Sequence, residues 1–227
     1  MKLTKDDIKY LNEFLNKELV YRETFEELYD HISSGLENAP ESLPFNEALK
    51  NYVTREFGGI SGLRKIEEQH RATVLRAMKR QYFNYIYQHF RFPGIILLVL
   101  IAALVYTIFS AAWFPTTWYF PMFLTMSIIV SAVHYIRYIR IGYIWKSTKR
   151  SVKDDGFTLI KYAPGKVIMF FAVVVFVLYR WFIKDTPLIL FDRLSPIAET
   201  CLFVAYALHA MSFYKMYAAE FKVDLAK

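Results

Sequence analysis

Glu27 and His31 stand four residues apart in TFEELYDHISSGLE (residues 24–37), with Asp30 beside the His. On a helix that spacing stacks the carboxylate and the imidazole on one face. Such a pair could supply two metal ligands or an acid–base couple. A working zinc site needs a third protein ligand and usually a fourth. Nothing nearby supplies a His or Cys pair, and HExxH is absent. No metal, no cofactor and no catalytic residue is expected there, and His31 is read as a packing or capping residue.

Three further polar residues, His134, Glu199 and His209, fall inside strongly apolar stretches, where lipid makes an ionisable side chain costly. Glu199 is expected near the outer end of its span, within reach of Arg180 or Arg193. His134 and His209 are expected toward the inner ends of two different spans, close to each other if those spans pack together. Hydrogen bonding between helices is the plain reading of all three; a proton relay or a catalytic His pair is the alternative. Other chemistry finds no motif. YAPGKV lacks the leading Gly and following Ser or Thr of a phosphate-binding loop, GGISG follows no strand, and GxSxG is absent. The single Cys201 excludes an internal disulfide and any Cys-based zinc cluster.

The elements that must carry these residues are set by hydropathy. Four segments are long and apolar enough for a bilayer, which takes about 20 helical residues: 93–114, 118–136, 166–183 and 197–217. Ala103, Thr107 and Ala111 form a small-residue stripe on the first, expected to be a close-packing face. Barrel strands would be shorter, alternating and more numerous. The link between the second and third segments, taken with Lys166 at the head of the third, carries eight Lys and Arg against Asp154 and Asp155, whereas the link between the first two is uncharged and aromatic. The positive-inside rule then puts both termini in the cytosol. Residues 137–150, RYIRIGYIWKSTKR, read as an extension of the second span into the headgroup layer, with Arg137, Arg140, Lys146, Lys149 and Arg150 as candidate lipid-facing cations.

Residues 1–92 hold 14 Lys and Arg and 14 Asp and Glu, so the whole excess of +7 lies in the apolar half, where a membrane accounts for it. That distribution argues against direct nucleic-acid binding. MKLTKDDIKYLNEF has no apolar core, so no secretory signal is expected and residues 1–92 should stay in the cytosol. Four helices are expected there. Thr4 with Asp7, and Thr24 with Glu27, read as capping-box starts. Ile8, Leu11 and Leu15 mark the first apolar face, and Phe25, Leu28, Ile32 and Leu36 the second. A third helix opens near Pro44 and closes at Gly58-Gly59. A fourth runs from about Ser61 toward Arg91, ending in the aromatic QYFNYIYQHFRF suited to a membrane interface, and Pro93-Gly94 breaks it. Residues 1–47 hold 5 Lys and Arg against 11 Asp and Glu, an acidic surface that favours a basic partner.

EELYDHISSGLE (26–37), then FNEALKNYVTREFGG (45–59) and a following helix, resemble the helical module that precedes some bacterial ABC-type permeases, the permease-prefix or HAAS type. The likeness covers residues 24–69, about a fifth of the chain. It implies a protein-interaction or signalling unit, of a kind also found on small membrane proteins encoded beside PadR-type transcriptional regulators. By that resemblance Glu26, Glu27, Asp30, His31 and Glu37 form the partner-binding face.

The expected architecture is therefore all-α: a cytosolic helical domain, 1–92, followed by a four-helix transmembrane domain, 93–227, in a bacterial inner membrane. The expected function is a non-enzymatic regulatory or accessory subunit that docks a PadR-type regulator or a permease. Two other readings stand beside it: a component of a transport complex, alone or with further copies of itself, and a small membrane enzyme using His134, His209 and Glu199.

Overall fold

The structure, a computed structural model, describes residues 2–38, 40, 43–111, 119–142, 149–163 and 196–224. Among them the regular elements are all helices: α1 (Lys5–Glu18), α2 (Arg22–Glu37), α3 (Phe45–Phe57), α4 (Ile60–His89), α5 (Gly94–Ser110), α6 (Tyr119–Arg140), α7 (152–163) and α8 (Pro196–Asp224). The all-α expectation holds. The expected third span, 166–183, lies outside the described residues, as do Lys146, Arg180 and Arg193.

The chain divides into two compact units, Met1–Met78 with Lys146–Gly156, and Lys79–Trp145 with Phe157–Lys227. The last turns of α4 belong with the second unit, and part of the link between α6 and α7 belongs with the first.

In the first unit, α1 opens on the expected capping box: Asp7 N–H donates to Thr4 Oγ1 and Thr4 N–H to Asp7 Oδ2. Leu11 and Leu15 are fully buried, while Ile8, expected beside them, is exposed. They meet Leu28, Ile32 and Leu36 of α2 and Ala48, Leu49 and Val53 of α3 in one core that Leu63 of α4 completes. Each fully buried Leu contributes about 2 kcal/mol of transfer free energy, so this apolar stripe positions α2. Gly58 ends α3 in the left-handed region at φ 72°, with its own N–H on Thr54 O and that of Gly59 on Val53 O. Gly35 lets α2 and α3 approach, because a Cβ there would lie 2.1 Å from the Tyr52 ring.

One start differs from expectation. α2 begins at Arg22, and Thr24 is buried inside its first turn rather than capping it. The N–H groups of Val20, Tyr21 and Arg22, at the observed start, are taken by distant groups described below.

In the second unit α5 and α6 each pack against α8. Leu98, Val105 and Phe109 are the buried stripe of α5, with Phe109 edge-on to Phe203 at 6.2 Å. Ala103 and Thr107 are exposed, so large interlocking side chains replace the small-residue face expected there. The rest of α5 is apolar and uncovered: Ile95, Ile96, Leu97, Val99, Leu100 and Leu104 are all exposed. α6 ends at Arg140, and Gly142 follows at φ 72°, so residues 137–150 are not one helical extension. Among the described residues no single helix is long and apolar enough to cross a membrane, but α4 and α5 pass that test as a pair bent by 74°.

Candidate docking face and the clasp behind it

Burial of Leu28, Ile32 and Leu36 turns the opposite side of α2 outward, and Glu26, Glu27, Asp30, His31 and Glu37 are all exposed on it. Arg22 pairs with Glu26 at 3.8 Å, an exposed contact worth at most a few tenths of a kcal/mol, about 0.3–0.5 for helical pairs. The His31 ring is edge-on to Phe57 at 5.6 Å and 6.4 Å from Tyr52, and the Arg55 guanidinium lies 5.8 Å from the Tyr52 ring. The face is thus carboxylate along α2 with an aromatic edge supplied by α3. Among the described residues no three His, Cys, Asp or Glu side chains converge as a metal would require.

Behind this face the start of α2 is held by residues far away in sequence. Glu67 of α4, itself buried, accepts the N–H groups of Val20 and Tyr21 on one oxygen, both at 2.8 Å. Arg22 N–H donates to Arg150 O at 3.0 Å. Tyr21 donates its hydroxyl to Asp155 at 2.5 Å, and Arg71 and Arg150 both pair with that carboxylate. Burial, then the Asp155 bond and charge, push the Tyr21 phenol up to about 12. In return Glu23 accepts from Ser151 Oγ and from Val152 N–H. Ser151 and Asp154 form a capping box for α7, with Lys153 N–H on Ser151 Oγ and Ser151 N–H on Asp154.

Of the basic residues expected at the lipid surface, Arg137, Arg140, Lys149 and Arg150 are described, and each has a contact within the protein. Lys149 is not lipid-facing: its ammonium donates to Leu15 O, Asn16 O and Leu19 O at 3.3, 3.2 and 2.5 Å, closing the C-terminus of α1, and lies 4.8 Å from the Phe25 ring. Arg150 pairs with Asp155 as above. Arg137 is 1% exposed and grips Glu220 through Nε at 2.5 Å and Nη2 at 2.8 Å, with its guanidinium 4.3 Å from the Phe157 ring. A buried guanidinium needs such a partner, and α8 supplies it. Arg140 is exposed and lies over Tyr217 and Phe221 at 5.7 and 5.6 Å.

The polar residues of the second unit follow α8. Glu199, Tyr206, His209, Phe213, Met216 and Glu220 recur at helical spacing along one side of it. His209 Nδ1 bonds the Tyr82 hydroxyl at 2.7 Å, and Ser127 bonds Tyr206 at 2.6 Å. Burial pushes the Tyr82 phenol up to about 12. His134 and His209 lie on the same aromatic ring, Phe213, at 6.3 and 6.1 Å between centroids. His134 also stacks near Tyr138 at 4.6 Å. Glu199 is buried, and among the described residues its Oε2, His209 Nε2 and Ser212 Oγ make no hydrogen bond.

Glu67, Glu23, Asp155, Tyr82 and Glu220 were not singled out by sequence. Only Ser151-Val-Lys-Asp154 carried a local signal, that of a capping box ahead of an apolar run. No protein-family model matches this chain, and no match was found among the curated proteins or among the solved structures.

Proposed function

We propose that this chain is a non-enzymatic bacterial inner-membrane protein, a regulatory or accessory subunit whose first unit docks a basic protein partner through the outer face of α2. The observation that carries the reading is the division of α2 into a fully buried apolar stripe and an exposed face of Glu26, Glu27, Asp30, His31 and Glu37. Carboxylates presented together on a rigid helix steer a basic partner and select it by complementarity. The aromatic edge of His31, Tyr52 and Phe57 adds the apolar contact that such interfaces favour. The resemblance to permease-prefix modules points to a PadR-type regulator or a permease as that partner. Membrane insertion is supported by α5, whose exposed side carries Ile95, Ile96, Leu97, Val99, Leu100 and Leu104.

The test is gentle detergent extraction of the full chain from its host and mass spectrometry of what co-purifies. A stoichiometric basic regulator or permease is expected, lost when Glu26, Glu27 and Asp30 are all changed to Lys and kept by His209→Ala. A partner that survives the triple reversal sinks the docking face. A second reading, a path through the membrane half, rests on the unpaired polar atoms of Glu199, His209 and Ser212. It expects the opposite pattern, with His209→Ala as the damaging change.

A further inference from the structure

The C-terminal turns of α4 carry a face that nothing else among the described residues of the second unit covers. Arg80, Phe83, Tyr87 and Phe90 recur at steps of three and four, one stripe of the helix. Phe83 is 63% exposed, Tyr87 58% and Phe90 50%, and Phe92, just beyond, is 82% exposed. The neighbouring stripe, Tyr82 and His89, is buried against the unit. Lys79, Arg80 and Arg91 flank the rings, the Arg91 guanidinium lies 4.8 Å from the Tyr87 ring, and residues 79–92 contain no carboxylate. Exposed Phe in water is unfavourable, so the face has an occupant. The helix then turns by 74° into α5, whose exposed side continues the apolar surface with Ile95, Ile96 and Val99.

We infer that this face is an in-plane membrane anchor that binds anionic phospholipid headgroups. The inference rests on α5 being embedded in the bilayer. With α5 inserted end-on into it, a 74° bend lays the end of α4 close to the membrane plane. Phe83, Tyr87, Phe90 and Phe92 then lie at the acyl–headgroup boundary, where amphipathic helices insert their rings. Lys79, Arg80 and Arg91 extend their aliphatic stems along that boundary and place their charges on the phosphates. Each cation near an anionic surface strengthens binding about fivefold. A second copy is a poorer occupant, since a two-fold contact would set three cations against the same three.

The test uses the full chain with Cys201→Ser, carrying single nitroxide-labelled cysteines from Phe83→Cys, Phe90→Cys, Asn84→Cys or Leu100→Cys. The chain is reconstituted in phosphatidylcholine vesicles with and without phosphatidylglycerol, and accessibility to oxygen and to an aqueous nickel chelate is read for each label. Labels at 83 and 90 should favour oxygen, more so with phosphatidylglycerol, with 100 deeper and 84 in water. Arg80→Glu with Arg91→Glu should lower the phosphatidylglycerol enrichment of co-purifying lipid by about 25-fold or more. If 100 is in lipid while 83 and 90 are in water, the anchor is wrong and the membrane reading of α5 stands. Water at 100 as well removes the membrane reading itself. Spin–spin broadening at 83 assigns the face to a second copy and overturns the proposal. Unchanged lipid enrichment in the double reversal overturns headgroup recognition.

Discussion

The Glu67 carboxylate accepts the backbone N–H of Tyr21 at 2.8 Å across 46 residues of sequence. The same oxygen takes the Val20 N–H, so a side chain of α4 takes the N-cap N–H that the N3 carboxylate of a capping box commonly takes. With Arg150 O receiving the next donor, α2 enters the core three residues ahead of the Thr24 start that its local sequence advertises. The orientation of the proposed docking face therefore depends on Glu67 and on the link residues 149–155, as well as on the apolar stripe of α2.

Glu67→Ala should destabilise the first unit by about 1–3 kcal/mol, because the buried Tyr21 N–H and the partly buried Val20 N–H lose their acceptor. Glu67→Gln keeps a carbonyl oxygen and should lose less than half of that. Denaturant unfolding of the purified chain in detergent, followed by helical circular dichroism, gives both values. A loss under about 0.5 kcal/mol for the Ala variant, the ordinary cost of a surface change, shows that α2 does not depend on this cap.

The contrast between Thr4 and Thr24 explains what sequence could and could not reveal. Both have an acidic residue three positions on, and only Thr4 caps. A capping box is decided within four residues unless a tertiary partner competes, and at α2 Glu67 and Arg150 do compete. The apolar stripe at Leu28, Ile32 and Leu36 and the Gly58 stop were legible because period and backbone conformation are local properties. The partners of Arg137, Lys149 and Arg150 were not legible, for the opposite reason. A cluster of cations after an apolar segment has a generic membrane explanation, while their actual partners, Glu220, the α1 carbonyls and Asp155, lie 83, 130 to 134 and five residues away. The exposed side of α2 was legible as the complement of its buried one.

Arg137 and Glu220 offer a test of a buried ion pair. Arg137→Met leaves Glu220 short of its two donors and should cost about 3–5 kcal/mol, as should Glu220→Leu, which takes that carboxylate from the buried guanidinium over Phe157. The double variant removes both charges and should recover most of the loss. Thermal unfolding of the four proteins in one detergent measures the cycle. Additive single losses mean the two residues act independently.

Gly35 faces Tyr52 so closely that an added Cβ would sit 2.1 Å from the ring. Gly35→Ala should therefore cost about 1–3 kcal/mol by overpacking, despite the better helix propensity of Ala. Combining it with Tyr52→Leu should relieve most of the strain. The same pair reports on function, since Tyr52 forms the aromatic edge beside His31. Partner capture should fall with Tyr52→Leu even where stability is restored.

Tyr21 makes a pH prediction whose sign is fixed by its partner. Its folded pKa, about 12 against an ordinary 10, belongs to a group that burial and Asp155 keep protonated. Between those values the unfolded chain has released the phenolic proton and the folded chain has not. The folded state then binds more protons, and stability falls as pH rises. The contribution is whole below pH 10 and is lost progressively toward 12. Tyr82, raised to about 12 by burial, acts in the same window and with the same sign. Lys149 acts oppositely: burial pushes its folded pKa below 10.5, so its contribution rises with pH until the unfolded lysine is itself neutral. Comparing wild type with Tyr21→Phe at each pH cancels Tyr82 and Lys149. The difference in unfolding free energy should favour wild type at pH 9, where the Asp155 hydrogen bond is intact, and should shrink from pH 10 upward. A difference that stays flat from pH 9 to 12 means that the Tyr21 phenol titrates alike in the folded and unfolded chains, and that the hydroxyl does not hold Asp155 to the start of α2.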